Sequence, residues 1–155
     1  MDLRKPFFKV LDELAEKDEK VVLLVGDLGF SFMEEYQQRH PKQFINCGIA
    51  EQSMIGIAAG MALGGLKPYV YSGTIFLLMR AYEQVRNEVC FNNLPVTLVG
   101  TGAAAFLGFS HNLTGAENEE DLLKNLPNIK RFYPKNEEEL RSAMEVNGVP
   151  KFIRL

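Results

Sequence analysis

The chain has no surplus of basic charge, few histidines and cysteines, and no apolar run long enough to cross a bilayer. Each shortage removes a class of function. Its 17 Lys and Arg stand against 20 Asp and Glu, a formal net charge of -3 over 155 residues. No Lys/Arg cluster is interleaved with aromatic residues, so a nucleic-acid partner is not expected. The longest apolar stretch, Met54 to Leu66, has 13 residues where a membrane span needs about 20, and it reads as buried within protein. The opening Met1-Asp2-Leu3-Arg4-Lys5-Pro6 lacks the apolar centre of a secretion signal, so a cytoplasmic protein with no membrane partner is expected. Cys47 and Cys90 lie 43 positions apart with no second pair to complete a ligand set, which fits reduced thiols. With two histidines and no clustered carboxylates, no metal site built from protein groups alone is expected.

What is present is a repeating pattern. A chain of this length buries roughly 70% of its unfolded surface, enough for one core without staples. Residues 1–155 show no linker, repeat or low-complexity segment and are expected to form a single domain. Short apolar runs alternate with amphipathic stretches, the signature of strand-helix units on a parallel sheet. Strands are expected at 21–25, 43–46, 69–71, 96–99, 129–132 and 152–154. Helices are expected at about 3–14, 31–38 with Ser31 as its cap, 50–63, 76–91, 119–126 and 136–146. The fold class is therefore α/β, a three-layer α/β/α arrangement with a mostly parallel, doubly wound sheet of about six strands. Gly100 to Asn118 breaks the regularity with four glycines around Ser110-His111-Asn112. It leaves the carboxyl end of a strand, where open parallel sheets bind ligands, and is a candidate ligand-facing loop.

One carboxylate stands out. Glu51 opens a helix whose other residues are almost all small or apolar, Ser53-Met54-Ile55-Gly56-Ile57-Ala58-Ala59-Gly60-Met61-Ala62. Either it only complements the helix dipole, worth about 0.3–1 kcal/mol, or it serves chemistry in a poorly hydrated place. Gly56 and Gly60, each costing about 0.8–1.0 kcal/mol against Ala, suggest a face where another helix packs closely. On local pattern alone Phe76 is core, and Arg80 and Arg86 with Glu83 are a solvated helix face. His40 before Pro41 reads as a surface turn. Gly26-Asp27-Leu28-Gly29 fits neither a P-loop nor a dinucleotide fingerprint.

The run Gly48-Ile49-Ala50-Glu51-Gln52 with Gly56 and Ala58-Ala59-Gly60-Met61-Ala62 resembles the pyrimidine-binding domain of the transketolase family of thiamine-diphosphate enzymes, which includes deoxyxylulose-phosphate synthase. Further stretches agree in order: Lys67-Pro68-Tyr69-Val70-Tyr71, Phe76-Leu77, Arg80-Ala81-Tyr82-Glu83-Gln84-Val85-Arg86, Asn93-Leu94-Pro95-Val96, Leu126-Pro127-Asn128 and Tyr133-Pro134. The resemblance implies that Glu51 hydrogen-bonds ring nitrogen N1' of the cofactor's aminopyrimidine. Sharing a proton there turns the 4'-amino group into the base that deprotonates C2 of the thiazolium. It implies that Phe76 stacks on the pyrimidine, with Arg80 and Tyr82 following on the same helix as cofactor-binding residues. Asp27 lies where members carry an acidic residue, and His111 is a candidate substrate contact.

Two departures shape the expectation. The Gly-Asp-Gly motif with its downstream Asn, which holds magnesium and diphosphate in such enzymes, does not occur in this sequence. Complete members place a diphosphate-binding domain before this one and a third domain after it. Met1 to Leu155 is thus expected to supply at most half of a cofactor site, with Mg2+ and diphosphate held by a partner subunit in a homodimer or heterotetramer. The implied activity is transfer of a two-carbon ketol or acyl unit between sugar or 2-oxo substrates, and the isolated chain is expected to be inactive. Second, Thr114-Gly115-Ala116-Glu117-Asn118-Glu119 stands where members often show a Thr-His pair. Either His111 substitutes, or specificity differs, or the chain is a non-catalytic regulatory or assembly module. A stand-alone small-ligand domain of flavodoxin-like build is a third option, resting on fold analogy alone.

Overall fold

Val21–Val25 is apolar at every position, and such a strand is stable only where helices cover both of its faces. In the computed structural model, which describes residues 2–102 and 119–155, this strand, β1, is buried along its whole length. The other strands are β2 (Phe44–Asn46), β3 (Lys67–Gly73), β4 (Thr97–Thr101), β5 (Lys130–Phe132) and β6 (Lys151–Arg154). They form a six-stranded sheet in the order β2-β1-β3-β4-β6-β5, with every neighbouring pair parallel. All six expected strands are present within about two residues of their expected bounds.

Alternation along the strands sorts the core into two layers. Val22, Leu24, Val70, Leu98 and Phe152 face helix α3 (Glu51–Leu63) and the helical segment after β3. Val21, Leu23, Tyr69, Tyr71, Val99 and Ile153 face α1 (Arg4–Lys17), α2 (Glu34–Arg39) and α6 (Glu137–Glu145). The result is the three-layer, doubly wound arrangement.

Several local details depart from expectation. Ser31 does not cap α2. It adopts φ 70° and donates its backbone N–H to Glu34 Oε1 at 2.8 Å, so the helix starts only at Glu34. The segment after β3 is not one regular helix. A π-helical turn at Phe76–Arg80 leads through α4 (Tyr82–Gln84) to a second π-helical turn at Val85–Cys90, with i to i+5 bonds from Ala81 N–H to Phe76 O and from Phe91 N–H to Arg86 O. Such turns often accompany functional sites. His40 is not a surface residue, because its ring is buried and Nε2 lies 2.8 Å from Asp12 Oδ1. Helix α5 (Glu119–Leu123) is shorter than expected.

Two glycines behave differently from each other. A Cβ on Gly56 would meet Glu88 Oε2 at 3.0 Å, so the helix after β3 does approach closely there. A Cβ on Gly60 would meet no described atom within 4 Å, so close packing does not explain that glycine here. On β6, one strand in from the edge, Lys151 is 2% exposed and donates to the carbonyls of Ala143, Met144 and Val146 at the end of α6. Burial pushes its ammonium down to about 7, but three carbonyl acceptors need the three donors of the charged form, and that geometry favours the ammonium.

The tightest backbone position is Gly100, where a Cβ would lie 2.6 Å from Thr74 Oγ1 and 2.8 Å from the Phe152 ring. Gly100→Ala is expected to lower the unfolding free energy by about 1–3 kcal/mol, the usual range for overpacking. Urea denaturation with the slope held in common checks this.

Candidate active site at the carboxyl ends of β1 and β3

Sheet order reverses at β1, which pairs with β2 on one side and β3 on the other. Chain connections therefore leave in opposite directions and open a crevice at the carboxyl ends of β1 and β3, the place where doubly wound sheets bind ligands. Three residues meet there from separate elements. Gly26 follows β1, Ser72 stands near the end of β3, and Glu51 opens α3 after the chain has turned at Gly48, whose φ is 69°. Ser72 Oγ donates to Glu51 Oε1 at 3.3 Å. A Cβ on Gly26 would press against both partners at 3.3 Å, so the absence of a side chain at position 26 leaves room for the carboxylate.

Glu51 is only 1% exposed. A dipole complement would sit at the surface of the first turn, and an ionised carboxylate without a partner in such a place is costly. The partner is Arg80, which donates Nη1–H to Glu51 Oε2 at 2.8 Å. Its guanidinium carbon also lies 4.3 Å from the centroid of the Phe76 ring, a cation–π contact. Arg80 is therefore not part of a solvated face with Arg86, whose guanidinium instead lies over Phe91 at 4.6 Å. Phe76 packs with Ile75, Leu28 and Leu122.

The other expected residues spread around this centre. Tyr82 donates its hydroxyl to Leu122 O at 3.1 Å and so ties α4 to the segment after the loop. Asp27, at φ 55°, accepts from Asn46 Nδ2 at 3.1 Å, and its own N–H donates to Asn46 Oδ1 at 3.2 Å. Asn46 Oδ1 also accepts from Gly48 N–H at 3.0 Å, so the pair fixes the turn that delivers Glu51. His111 lies outside the described residues. Three contributors escaped the sequence reading: Gly26, Ser72 and Asn46. Only Ser72, a hydroxyl at the end of an apolar strand, left a local signal. Cys47 and Cys90 are both free, and burial pushes the thiol of each up, that of Cys90 to about 12.

In chemical terms the set joins a buried acid to one aromatic face. It suits a flat group that stacks and presents a ring N–H or a protonated nitrogen to a carboxylate. Among the described residues no group of three or more His, Cys, Asp or Glu is placed to hold a metal ion, and no helix is long and apolar enough to cross a membrane.

The profile of the family described as "Transketolase, pyrimidine binding domain" matches residues 1–149. The chain belongs to this family. It is 31% identical over 157 residues to the 6-deoxy-6-sulfo-D-fructose transketolase subunit SqwH of Clostridium sp. strain MSTE9, covering 99% of this chain and 49% of that protein. It is 36% identical over 146 residues to the 1-deoxy-D-xylulose-5-phosphate synthase of Gloeothece citriformis, covering 94% of this chain and 22% of the synthase. Among solved structures, a split gene transketolase described as an inactive beta4 tetramer superposes with a TM-score of 0.83 at 33% identity, over 98% of this chain and 50% of that one. The chain spans about half the length, or less, of these relatives.

Tyr82→Phe removes one partly buried hydrogen bond and little else. A loss of about 1 kcal/mol in folding stability is expected, together with faster amide exchange at Leu122 to Leu126, read by hydrogen–deuterium exchange.

Proposed function

We propose that residues 1–155 act as one domain, the pyrimidine-binding part of a split, thiamine-diphosphate-dependent transketolase-like enzyme that transfers a two-carbon ketol or acyl unit between sugar-like or 2-oxo substrates in the cytoplasm. The observation that carries this reading is the 1% exposed carboxylate of Glu51 beside the Phe76 ring at the sheet's switch point. The residues fit the cofactor's ring half in their chemistry, a buried carboxylate for the ring nitrogen beside an aromatic side chain for its flat face, and Gly26 keeps a side chain from crowding that carboxylate.

When bound, thiamine diphosphate supplies the nucleophilic thiazolium carbon. The work of this chain is to hold and tune. Glu51 takes ring nitrogen N1' and shares a proton with it. That hydrogen bond is stronger in a water-poor site than in water. Ser72 fixes the second carboxylate oxygen, so that Oε2 keeps one direction. Phe76 receives the flat face of the ring and sets its plane.

The diphosphate and Mg2+ are assigned to a partner subunit, a reading supported by relatives that are themselves transketolase subunits. Exposed Ile57 and Met79 lie on the elements that carry Glu51 and Arg80, and exposed Ile49 lies in the turn just before α3, which supports a subunit contact at the mouth of the site. The arrangement is a heterotetramer or a larger homodimeric enzyme.

The test is co-expression with the subunit bearing the diphosphate motif. Glu51→Gln is expected to lower kcat by about 100-fold or more, the range of a lost proton-transfer partner, and unchanged turnover would remove the mechanism. Phe76→Ala is expected to weaken cofactor binding by roughly 3- to 10-fold, the worth of one aromatic stack. Calorimetry on the wild-type mixture checks the premise: no heat with thiamine diphosphate and Mg2+ would point to a non-catalytic assembly module.

A further inference from the structure

We propose that Arg80 is a displaceable stand-in for the aminopyrimidine, so that the cofactor loads by exchange with a guanidinium. This rests on the function proposed above and deepens it. Arg80 makes both contacts assigned there to the ring. Its guanidinium carbon lies 4.3 Å from the centroid of the Phe76 ring, and its Nη1–H donates to Glu51 Oε2 at 2.8 Å. Guanidinium and aminopyrimidine share the features that matter: each is flat and has a π-face, and each can put an N–H opposite a carboxylate, the guanidinium permanently and the ring once N1', a lone-pair nitrogen in the neutral heterocycle, takes up a proton from solvent as Arg80 leaves.

The two occupants exclude each other. Phe76 is 9% exposed and packs with Ile75, Leu28 and Leu122, and Glu51 Oε1 already accepts from Ser72, so both occupants compete for the same Oε2 beside the same ring. Arg80 itself is able to leave. Its side chain is 36% exposed, it ends a π-helical turn, and Ala81 after it departs from helical geometry at φ -110°, ψ 21°. The three-methylene stem lets the charged head swing into water without moving the helix.

Exchange has two consequences. Glu51 is not left as a buried, uncompensated charge while the ring enters or leaves, a state that costs several kcal/mol. The site also gains selectivity. A flat molecule that stacks but cannot donate to Glu51 must evict Arg80 without replacing its hydrogen bond, and is rejected. The apparent affinity of any pyrimidine is lowered by the fraction of chains in which Arg80 holds the site.

The experiment titrates the full chain with 4-amino-5-hydroxymethyl-2-methylpyrimidine, the ring half of the cofactor, following calorimetric heat and the side-chain Nε–H signal of Arg80 in 15N-labelled protein. Arg80→Met is expected to bind the probe about tenfold more tightly than wild type. Arg80→Gln, which keeps an amide donor on a shorter side chain, is expected to fall between them. In the wild type, the Arg80 signal is expected to move to the averaged position of a solvated arginine as the probe binds. Weaker binding in Arg80→Met and Arg80→Gln, or an Arg80 signal that does not move, would overturn the exchange while leaving the pyrimidine site intact. Binding that Glu51→Gln and Phe76→Leu leave unchanged, or no binding by any variant, would overturn the site itself and the exchange with it.

Discussion

Everything distinctive about this molecule depends on keeping one carboxylate out of water. Glu51 has almost no exposed surface, and a charge in that position requires compensation that is both close and directional. The chain supplies it from two elements, a serine on β3 and an arginine beyond it, 21 and 29 positions away in sequence. The remaining features of the site serve this arrangement. Gly26 gives the carboxylate room, Asn46 and Asp27 hold the turn that aims it, and Phe76 provides a ring over which the compensating cation lies.

The sheet explains why these residues come together. A parallel strand that is apolar on both faces must be covered twice, so α2 and α3, the helices before and after β2, are sent to opposite faces of the sheet. That winding produces the β2-β1-β3 order and, with it, a gap at the strands' carboxyl ends that no crossover fills. The first turn of α3 stands over that gap. A cofactor-binding place thus follows from the way the core is covered, and the few polar residues at the strand ends decide what it binds.

The strands were legible because their evidence is local: runs such as Val21–Val25 and residues 96–99 are short, rich in β-branched and apolar side chains, and punctuated by turns. Glu51 was legible for a related reason, as the one charge in an otherwise apolar helix. The partners of Glu51 were not. Ser72, Arg80 and Gly26 are joined to it only through the sheet, and no periodicity within a window of 11–18 residues carries that information. Arg80 shows the limit clearly. Helical spacing placed it with Arg86 and Glu83 on a wet face, but a π-helical turn and a buried acid turn it inward. The same holds for His40 and Lys151, whose polar character suggests the surface while Asp12 and the carbonyls at the end of α6 hold them inside. The family resemblance supplied what local pattern could not, because it reports which distant residues act together.

The strength of the Glu51–Arg80 contact is what makes its proposed exchange workable. An ion pair fully in water contributes about 0–1 kcal/mol, and breaking one fully sealed in protein costs about 3–5 kcal/mol. This pair is split between those limits, with an acid 1% exposed and a base 36% exposed. Solvent therefore screens the arginine end, and the contact falls in the middle of the range. A weaker hold would leave the carboxylate uncompensated for much of the time. A stronger one would consume most of the roughly 8 kcal/mol that a micromolar ligand has to spend. An arginine anchored at the rim and reaching inward meets both demands, because its charged head can exchange partners while its backbone stays in the helix.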